Sequence, residues 1–254
     1  SGHTHELMVN LVTTSHQANL MKLLRDRLLA EIGTELTTFV NSTTSAKNTV
    51  AFGEKEFVMH GNGSITDRLG TYTYQISPNS FFQTNTAQAE VLYQQILNAA
   101  QLKPTDTVYD LFCGTGSITL FASTHCHKVL GIEWVESSVK DAQANAELNN
   151  VKNCQFIQLD MKALQSIESE CALFGAPDVV ITDPPRAGMH PKAIEILREW
   201  APPIIIYVSC NPASLARDSA LLCENQQYRL INCTPVDLFP QTNHVESIAR
   251  FERL

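Results

Sequence analysis

The sequence has no long apolar run, because no stretch approaches the roughly 20 residues that a membrane-spanning helix needs. No charged-then-apolar leader precedes a small-residue cleavage site near its start. Internal repeats and low-complexity tracts are absent as well. These absences argue against a membrane-spanning or secreted protein, and we expect a soluble cytoplasmic chain without a membrane partner.

The seven cysteines include no metal-type CxxC pair, and none precedes Cys113. An odd number of thiols scattered through apparent strands and helices fits reduced cysteines better than a disulfide framework. We therefore expect a reducing compartment and no metal site. The chain begins with Ser-Gly and no methionine, which is typical of tag removal, so a fragment of a longer protein is an open alternative.

Basic residues are few, since 18 Lys and Arg stand against 26 Asp and Glu and give a net charge of −8. This balance argues against a strong sequence-independent grip on nucleic acid by this chain alone. Residues 1–80 carry six basic and seven acidic side chains, so nearly all of the excess acid lies in the C-terminal part. With 44% apolar residues, the 254-residue chain can form one large domain with a smaller companion.

The pattern of predicted helices and strands changes near residue 77. Residues 1–76 hold one helix-patterned segment, predicted to end at Gly33, among apolar segments that predict two or three strands. This pattern indicates a small α+β domain. In residues 77–254, strand candidates alternate with helix candidates, including one near "MKALQSIES", and the last two strands form an antiparallel pair. Repeated βα units predict an α/β, Rossmann-like domain with a mostly parallel sheet.

Reactive side chains stand at the predicted ends of five strands in this second domain. Ligands of such sheets bind beyond the carboxyl ends of the strands. The five residues predicted there are Asp110, Glu133, Asp160, Asp183 and Cys210. We therefore expect the active site at this edge of the sheet.

The segment "DLFCGTGS" resembles a dinucleotide-binding loop, but the third glycine of the GxGxxG pattern is absent. Asp110, four residues before Gly114, would also face a pyrophosphate unfavourably. A cationic ligand removes the conflict. S-adenosylmethionine carries a sulfonium and an ammonium and no phosphate, and it needs only close backbone approach at Gly114 and Gly116 and nearby acids. The loop therefore favours this cofactor.

Two further acids fit the same ligand. Glu133, predicted to end the second strand, is placed to accept both ribose hydroxyls, and Asp160, predicted to end the third, could meet the adenine amino group. Each acid alone is equally well explained as a helix N-cap or a solvated strand end. The ordered set favours the cofactor site.

The segment "TDPPRAG" presents Asp183 at a strand end, because the two prolines that follow it hold the chain extended. A simple Asp-Pro turn is the alternative. Methyltransferases that act on amino nitrogens commonly have an aromatic residue after the second proline, whereas this chain has Arg186. An arginine could instead hydrogen-bond base carbonyls or a phosphate.

Cys210 ends the apolar run "IIIYVSC", where a buried structural cysteine is the commoner reading. Uracil C5 is a poor nucleophile, however, and addition of a thiolate at C6 makes it reactive. A base must then remove the C5 proton. His244 and Glu246 are the candidates, and burial of Glu246 at the start of an apolar strand would raise its pKa and suit it to this step, whereas His244 alone is more typical of a structural residue.

Five segments in order resemble the RNA 5-methyluridine methyltransferase family, whose members act on tRNA or 23S rRNA. They are "SPNSFFQTN" (77–85), "DLFCGTG" (110–116), "TDPPRAG" (182–188), "YVSCNPASLARD" (207–218) and "DLFPQTNHVE" (237–246). The resemblance spans nearly all of 77–254 and implies an S-adenosylmethionine-dependent catalytic domain. It implies that Cys210 is the nucleophile and Glu246 the proton acceptor. The cofactor residues that it implies are Gln83, Phe112, Glu133, Asp160 and Asp183.

The function expected from this resemblance is 5-methyluridine formation in 23S rRNA by a monomer, with tRNA as the alternative substrate. An amino-methyltransferase and a non-catalytic RNA-binding module are the less favoured alternatives. Phe81, Phe82 and Arg186 are candidates for holding a uridine flipped out of folded RNA, with packing as the competing explanation.

Two residues depart from the family pattern. Ser117 stands where many members have asparagine in the cofactor loop, and Ser214 where threonine is usual. Residues 1–76 resemble the family's central RNA-contacting domain. Many members also carry an N-terminal RNA-binding β-barrel, and some a cysteine-ligated iron–sulfur cluster, for which this chain has no ligands before Cys113. A missing basic barrel would also explain the acidic balance.

Overall fold

The computed structural model describes residues 1–45, 53–160 and 173–254. The chain forms two compact units, Ser1–Thr84 and Asn85–Leu254. The division lies beyond the predicted boundary at 76/77, because residues after 76 are fastened to the first unit. There, the Asn79 side chain accepts a hydrogen bond from the Gly53 amide and donates one to the Gly53 carbonyl. The predicted helical segment near 161–169 lies outside the described residues.

Among its described residues, unit 1 contains one α-helix and five strands. They are β1 (Leu7–Thr13), α1 (Ala18–Ile32), β2 (Leu36–Thr43), β3 (Lys55–His60), β4 (Ile65–Leu69) and β5 (Tyr72–Ile76). The strands β1, β2 and β3 form one sheet in that order, with β1 parallel and β3 antiparallel to β2, while β4 and β5 form a separate hairpin. Helix α1 packs on this sheet through a core that includes Met21, Leu36 and Phe39.

The prediction of two or three strands in unit 1 was wrong. The stretch that follows residue 54 forms three strands, because turns with positive φ at Gly61, Gly63 and Gly70 interrupt it. The predicted helix end is confirmed, since Gly33 follows α1 with φ +64°.

Unit 2 is an α/β domain, which confirms the predicted fold class. Its helices are α2 (Thr86–Ala100), α3 (Ser117–Ser123), α4 (Glu136–Leu148), α5 (Pro191–Trp200) and α6 (Pro212–Leu222). Its strands are β6 (Thr107–Leu111), β7 (Lys128–Glu133), β8 (Cys154–Gln158), β9 (Val179–Thr182), β10 (Ile204–Ser209), β11 (Tyr228–Val236) and β12 (Glu246–Arg253). None of the helices in the described residues is long and apolar enough to cross a membrane.

The sheet of unit 2 has the order β11-β12-β10-β9-β6-β7-β8. Five neighbouring strands are parallel: β8, β7, β6, β9 and β10. Strand β12 runs antiparallel to both β10 and β11, which confirms the predicted antiparallel pairing of the last two strands. From β6 the chain continues to β7 and β8 on one side and returns to β9 on the other. In sheets of this kind, ligands bind beyond the carboxyl ends of the strands at such a reversal, which here lies between β6 and β9.

The start of helix α6 determines where β10 ends. Asn211 caps α6 by accepting a hydrogen bond from the Ala213 amide, and Pro212 occupies the first turn of that helix. Because the helix begins at Pro212, β10 stops at Ser209, and Cys210 lies between the strand and the helix cap.

Gly131 in the middle of β7 allows β8 to pack closely. A Cβ at this position would lie 2.6 Å from Cδ1 of Phe156 and 2.9 Å from Sγ of Cys113. We predict that Gly131→Ala lowers the free energy of unfolding by about 1–3 kcal/mol through overpacking. Urea denaturation measures this, and adding Phe156→Leu, with Phe156→Leu alone as the control, should restore part of the loss. An unchanged midpoint in Gly131→Ala would contradict the prediction.

Candidate active site

The loop between β6 and α3 is a tight turn held on several sides. Phe112, Gly114 and Gly116 have φ of +63°, +54° and +81°. The Phe112 amide donates to the Ile132 carbonyl at 2.9 Å, and a Cβ at Gly116 would lie 3.1 Å from both Ala142 and the Phe156 ring. The backbone of this loop is therefore fixed in place. At Gly114 a Cβ would meet no atom within 4 Å, so the backbone there is open to close approach by a ligand.

Asp110, in β6, is fully buried beside this loop. Its Oδ2 accepts a hydrogen bond of 2.6 Å from the Thr119 hydroxyl, while Oδ1 has no hydrogen-bond partner among the described residues. Burial, with the charge of Asp183 as a smaller contribution, raises the pKa of Asp110 to about 7. A buried, unpartnered carboxylate oxygen is costly without a ligand, so this side chain is suited to a cationic group.

Glu133 is the last residue of β7, as predicted, and it already holds the glycine loop. Its Oε2 accepts a hydrogen bond of 3.1 Å from the Gly114 amide, and Oε1 accepts one of 2.8 Å from the Val135 amide. Each carboxylate oxygen has a second lone pair, so the side chain can still accept further hydroxyl donors. Asp160 lies two residues beyond the end of β8.

Cys210 and Glu246 are brought together by strand pairing. Strands β10 and β12 are antiparallel with Ser209 opposite Ser247. Continuing this register by one residue sets Cys210 opposite Glu246, the first residue of β12. Directly opposed residues of antiparallel strands project to the same face, with Cβ atoms about 4.5–5.5 Å apart. A thiol and a carboxyl from distant parts of the sequence thus share one site.

The electrostatics of this pair follow from burial and from one arginine. Glu246 is only 7% exposed, and its burial raises the pKa of its carboxyl, while the Arg186 guanidinium acts in the opposite direction. Burial and then the Glu246 charge raise the pKa of the Cys210 thiol, and Arg186 again opposes them. Burial, followed by the Glu246 charge, raises the pKa of Asp183 to about 7.

Arg186 is exposed and lies next to His244, the other candidate that the sequence offered as a base. Its Nη1 is 3.2 Å from His244 Nδ1. An arginine can only donate, so this contact requires that Nδ1 carries no proton. His244 therefore orients Arg186. The residue that the strand register places opposite Cys210 is Glu246.

One buried residue of this site was missed by the sequence reasoning. Tyr93 of α2 has its hydroxyl 2.9 Å from Ser117 Oγ, and its ring packs edge-on against Phe121 at 5.1 Å. Burial, with smaller contributions from the charges of Asp183 and Asp110, raises the pKa of this phenol, which therefore stays neutral. In the sequence, Tyr93 is indistinguishable from the other apolar residues on the buried face of a helix. The one available signal was its partner Ser117, which departs from the family pattern in the cofactor loop.

Phe81 and Gln83, which were predicted to bind substrate and cofactor, belong to unit 1, and their roles stay predictions. Phe81 is 70% exposed. The Phe82 ring packs against Tyr74 at 5.4 Å within unit 1, which agrees with the packing alternative for that residue.

A Rossmann-like sheet with a tight glycine loop, a buried acid beside it and a thiol opposite a carboxyl has the features of a methyltransferase-fold protein. The profile of the family described as tRNA (uracil-5-)-methyltransferase matches residues 4–253. The chain belongs to this family.

Relatives and solved structures agree with this assignment. A protein of Chlorobaculum tepidum named an uncharacterized RNA methyltransferase is 50% identical over 248 residues, which are 98% of this chain and 51% of that protein. A protein of the same description from Enterococcus faecalis is 40% identical over 97% of this chain and 53% of its own length. The chain spans about half the length of the curated relatives it matches.

The structure of Pyrococcus abyssi tRNA (uracil-54, C5)-methyltransferase in complex with S-adenosyl-L-homocysteine is similar to this chain, with a TM-score of 0.73 and 31% identity. The similarity covers 97% of this chain and 56% of that one. The N-methyltransferase NodS of Bradyrhizobium japonicum, with a TM-score of 0.54 and 12% identity over 66% of this chain and 97% of its own, shares the fold alone.

The raised pKa of Asp110 predicts how stability depends on pH. Its carboxyl has a pKa of about 7 in the folded protein and 3.8 ordinarily, so the folded state loses stability from this group as pH rises towards 7. Asp110→Asn removes that loss. We expect the variant's gain in unfolding temperature over the unmodified protein to be larger at pH 8 than at pH 5. Differential scanning fluorimetry without ligand measures it, and an equal difference at both pH values would contradict the assignment.

Proposed function

We propose that this chain is the catalytic part of an S-adenosylmethionine-dependent RNA (uracil-C5)-methyltransferase that forms 5-methyluridine through a covalent bond from Cys210 to C6. The observation that carries the proposal is the strand register that sets Cys210 opposite the buried Glu246, at the same sheet edge as the glycine loop. Unit 1 contacts the RNA in this proposal.

The residues around the glycine loop fit the cofactor. The unpartnered Asp110 Oδ1 offers an acceptor for a cationic group, and Gly114 and Gly116 allow close approach. Glu133 has lone pairs left for the ribose hydroxyls. The remaining residues assigned to this ligand by the family resemblance are Gln83, Phe112, Ser117, Asp160 and Asp183. When bound, S-adenosylmethionine supplies an electrophilic methyl group.

Cys210 and Glu246 divide the chemistry on the base. The Cys210 thiolate would bond to C6 and the displaced ring electrons would form an enolate. C5 would then take the methyl group as its bond to the sulfonium sulfur breaks, and S-adenosylhomocysteine would leave with that electron pair. Glu246 takes the proton from C5, and the electrons of that C–H bond restore the ring double bond as the C6–S bond breaks. Burial raises the pKa of this carboxyl, which makes it a better proton acceptor than an exposed carboxylate. Arg186 favours the thiolate and can hydrogen-bond the base.

An amino-methyltransferase would share the cofactor loop but would give Cys210 and Glu246 no role. A non-catalytic RNA-binding module would need neither the thiol nor the base. The RNA class has two candidates: the sequence reasoning favours 23S rRNA, whereas the family description and the Pyrococcus abyssi relative name tRNA. We propose 23S rRNA as the substrate and keep tRNA as the second candidate.

Glu246→Gln tests the covalent step. Without a base the C5 proton stays, elimination stalls, and we expect a protein–RNA adduct that survives a denaturing gel when cofactor and a substrate RNA are present. Undermodified 23S rRNA fragments and tRNA transcripts are assayed side by side, and the adduct identifies the RNA class.

Cys210→Ala is the matched control. It should form no adduct in either background, and methyl transfer should fall by about 10³-fold or more. Methylation that persists in Cys210→Ala, or the absence of an adduct with every RNA that binds, would contradict the mechanism.

Cofactor affinity should depend on pH through the buried acids. Asp110 and Asp183 have pKa values raised to about 7, and a cation binds their ionised forms. We expect the dissociation constant of S-adenosylmethionine to be about five- to tenfold higher at pH 6 than at pH 8, with proton release on binding. Isothermal titration calorimetry in two buffers measures both. Asp110→Asn should bind more weakly and with less pH dependence, and a constant affinity in the unmodified protein would refute the expectation.

A further inference from the structure

The segment that follows β9 carries Arg186, and helix α6 holds it from the side. The Asn211 side chain donates a hydrogen bond of 2.9 Å to the Arg186 carbonyl. Asn211 follows Cys210 directly and also caps α6. Asn211 thus connects the backbone of Arg186 to the residue that carries the thiol.

Asp218, on α6, holds the same segment further along. It is fully buried, and its carboxylate accepts hydrogen bonds of 2.8 Å from the Met189 amide and 2.6 Å from the Tyr207 hydroxyl. Arg217 Nε donates to Asp218 at 2.8 Å, and Arg217 Nη2 donates to the Ala187 carbonyl at 2.9 Å. A buried carboxylate with this many donors is well compensated, and charge-assisted bonds are the stronger kind.

Gly188 shows how closely this segment lies on the Arg217–Asp218 pair. Its φ is +78°, and a Cβ there would lie 2.5 Å from Arg217 Nη2 and 2.6 Å from Asp218 Oδ2. The Gly188 amide donates to the Pro185 carbonyl at 2.7 Å, which closes a turn around Arg186. The backbone therefore has no room to shift towards α6.

These contacts connect the two halves of the reacting site. Tyr207 is in β10, three residues before Cys210, while the backbone groups of residues 186–189 belong to the segment after β9. Asp218 and Arg217 touch neither Cys210 nor Glu246 in any described contact. Their bonds instead fix the distance between the Arg186 segment and the strand that ends at the thiol.

We propose that Asp218 and Arg217 are positioning residues for uracil methylation, holding the Arg186 segment against the end of the strand that carries Cys210. The inference rests on the proposed function, because Arg186 and Cys210 need a defined geometry only if both act on one base. A misplacement of about 1 Å in such a site costs about 10²-fold in rate. The competing explanation is a network that stabilises the fold and leaves the reacting geometry unchanged.

Asp218→Asn tests the proposal, since it keeps the shape and an acceptor for Met189 but removes the charge that orders Arg217. We expect the single-turnover rate of methyl transfer at saturating cofactor to fall about 10- to 100-fold, while the dissociation constant of S-adenosylmethionine changes less than about twofold. Tyr207→Phe cuts the bond that ties Asp218 to β10, so its rate should fall in the same direction. Tyr228→Phe is the matched control: it removes one buried hydrogen bond, to the Pro202 carbonyl, but none from Asp218 or residues 186–189, and its rate should fall less than about threefold.

A double-mutant cycle separates positioning from general stability. If Asp218 acts through Arg186, then Asp218→Asn in an Arg186→Ala background should slow the reaction by no more than about twofold. The proposal would be overturned if the fold-losses of the two single variants multiplied in the double variant. It would also be overturned if Asp218→Asn reacted at the rate of the unmodified protein.

Asn211→Ser provides a second route if Asp218→Asn fails to fold. Serine still caps α6 but is too short to reach the Arg186 carbonyl, so the same loss of rate and the same dependence on Arg186 are expected. Failure of the proposed function is distinguishable, because the unmodified protein would then methylate no uridine and Glu246→Gln would form no adduct.

Discussion

The antiparallel entry of β12 beside β10 determines the site. Five parallel strands would supply acids and a thiol at their carboxyl ends, but all of these residues would arrive from the same direction. Because β12 runs the other way, its first residue, and not its last, reaches that edge. Glu246 thereby comes opposite Cys210, although 35 residues of chain separate the two positions and include a helix and an edge strand.

The edge that results is rich in acid and poor in compensating charge. Asp110, Asp183 and Glu246 all have raised pKa values, each chiefly because the carboxyl is buried. Arg186 is the cation that opposes this for Glu246 and for Cys210. A site of this kind favours a positively charged ligand, and the position of one guanidinium affects the pKa of its thiol. In the proposed mechanism, the bonds that hold the backbone around Arg186 would keep this guanidinium in place.

Several features were predictable because local chemistry determines them. Gly33 ends its helix since a residue of positive φ is needed there, and Asn211-Pro212 starts α6. The alternation of strands and helices gave the fold class for the same reason. The strand count of unit 1 was wrong, because it depends on glycine turns. The first compact unit extends beyond residue 76, because side-chain bonds between distant segments, such as that of Asn79, hold the following residues to it, and the domain boundary at 76/77 stays a prediction.

Sequence patterns were sufficient to select the candidate residues: the acids and thiol at strand ends, the glycine loop, and a carboxyl at the start of an apolar strand. Hydrophobic periodicity and the signals that end helices and strands involve only a few neighbouring residues, so they can be recognised without a tertiary structure. Tertiary structure was needed to show which of these groups meet. The strand register of Cys210 with Glu246, the bond between Tyr93 and Ser117, and the hold of Asp218 on residues 186–189 all join segments far apart in the chain, and only packing brings such groups within reach.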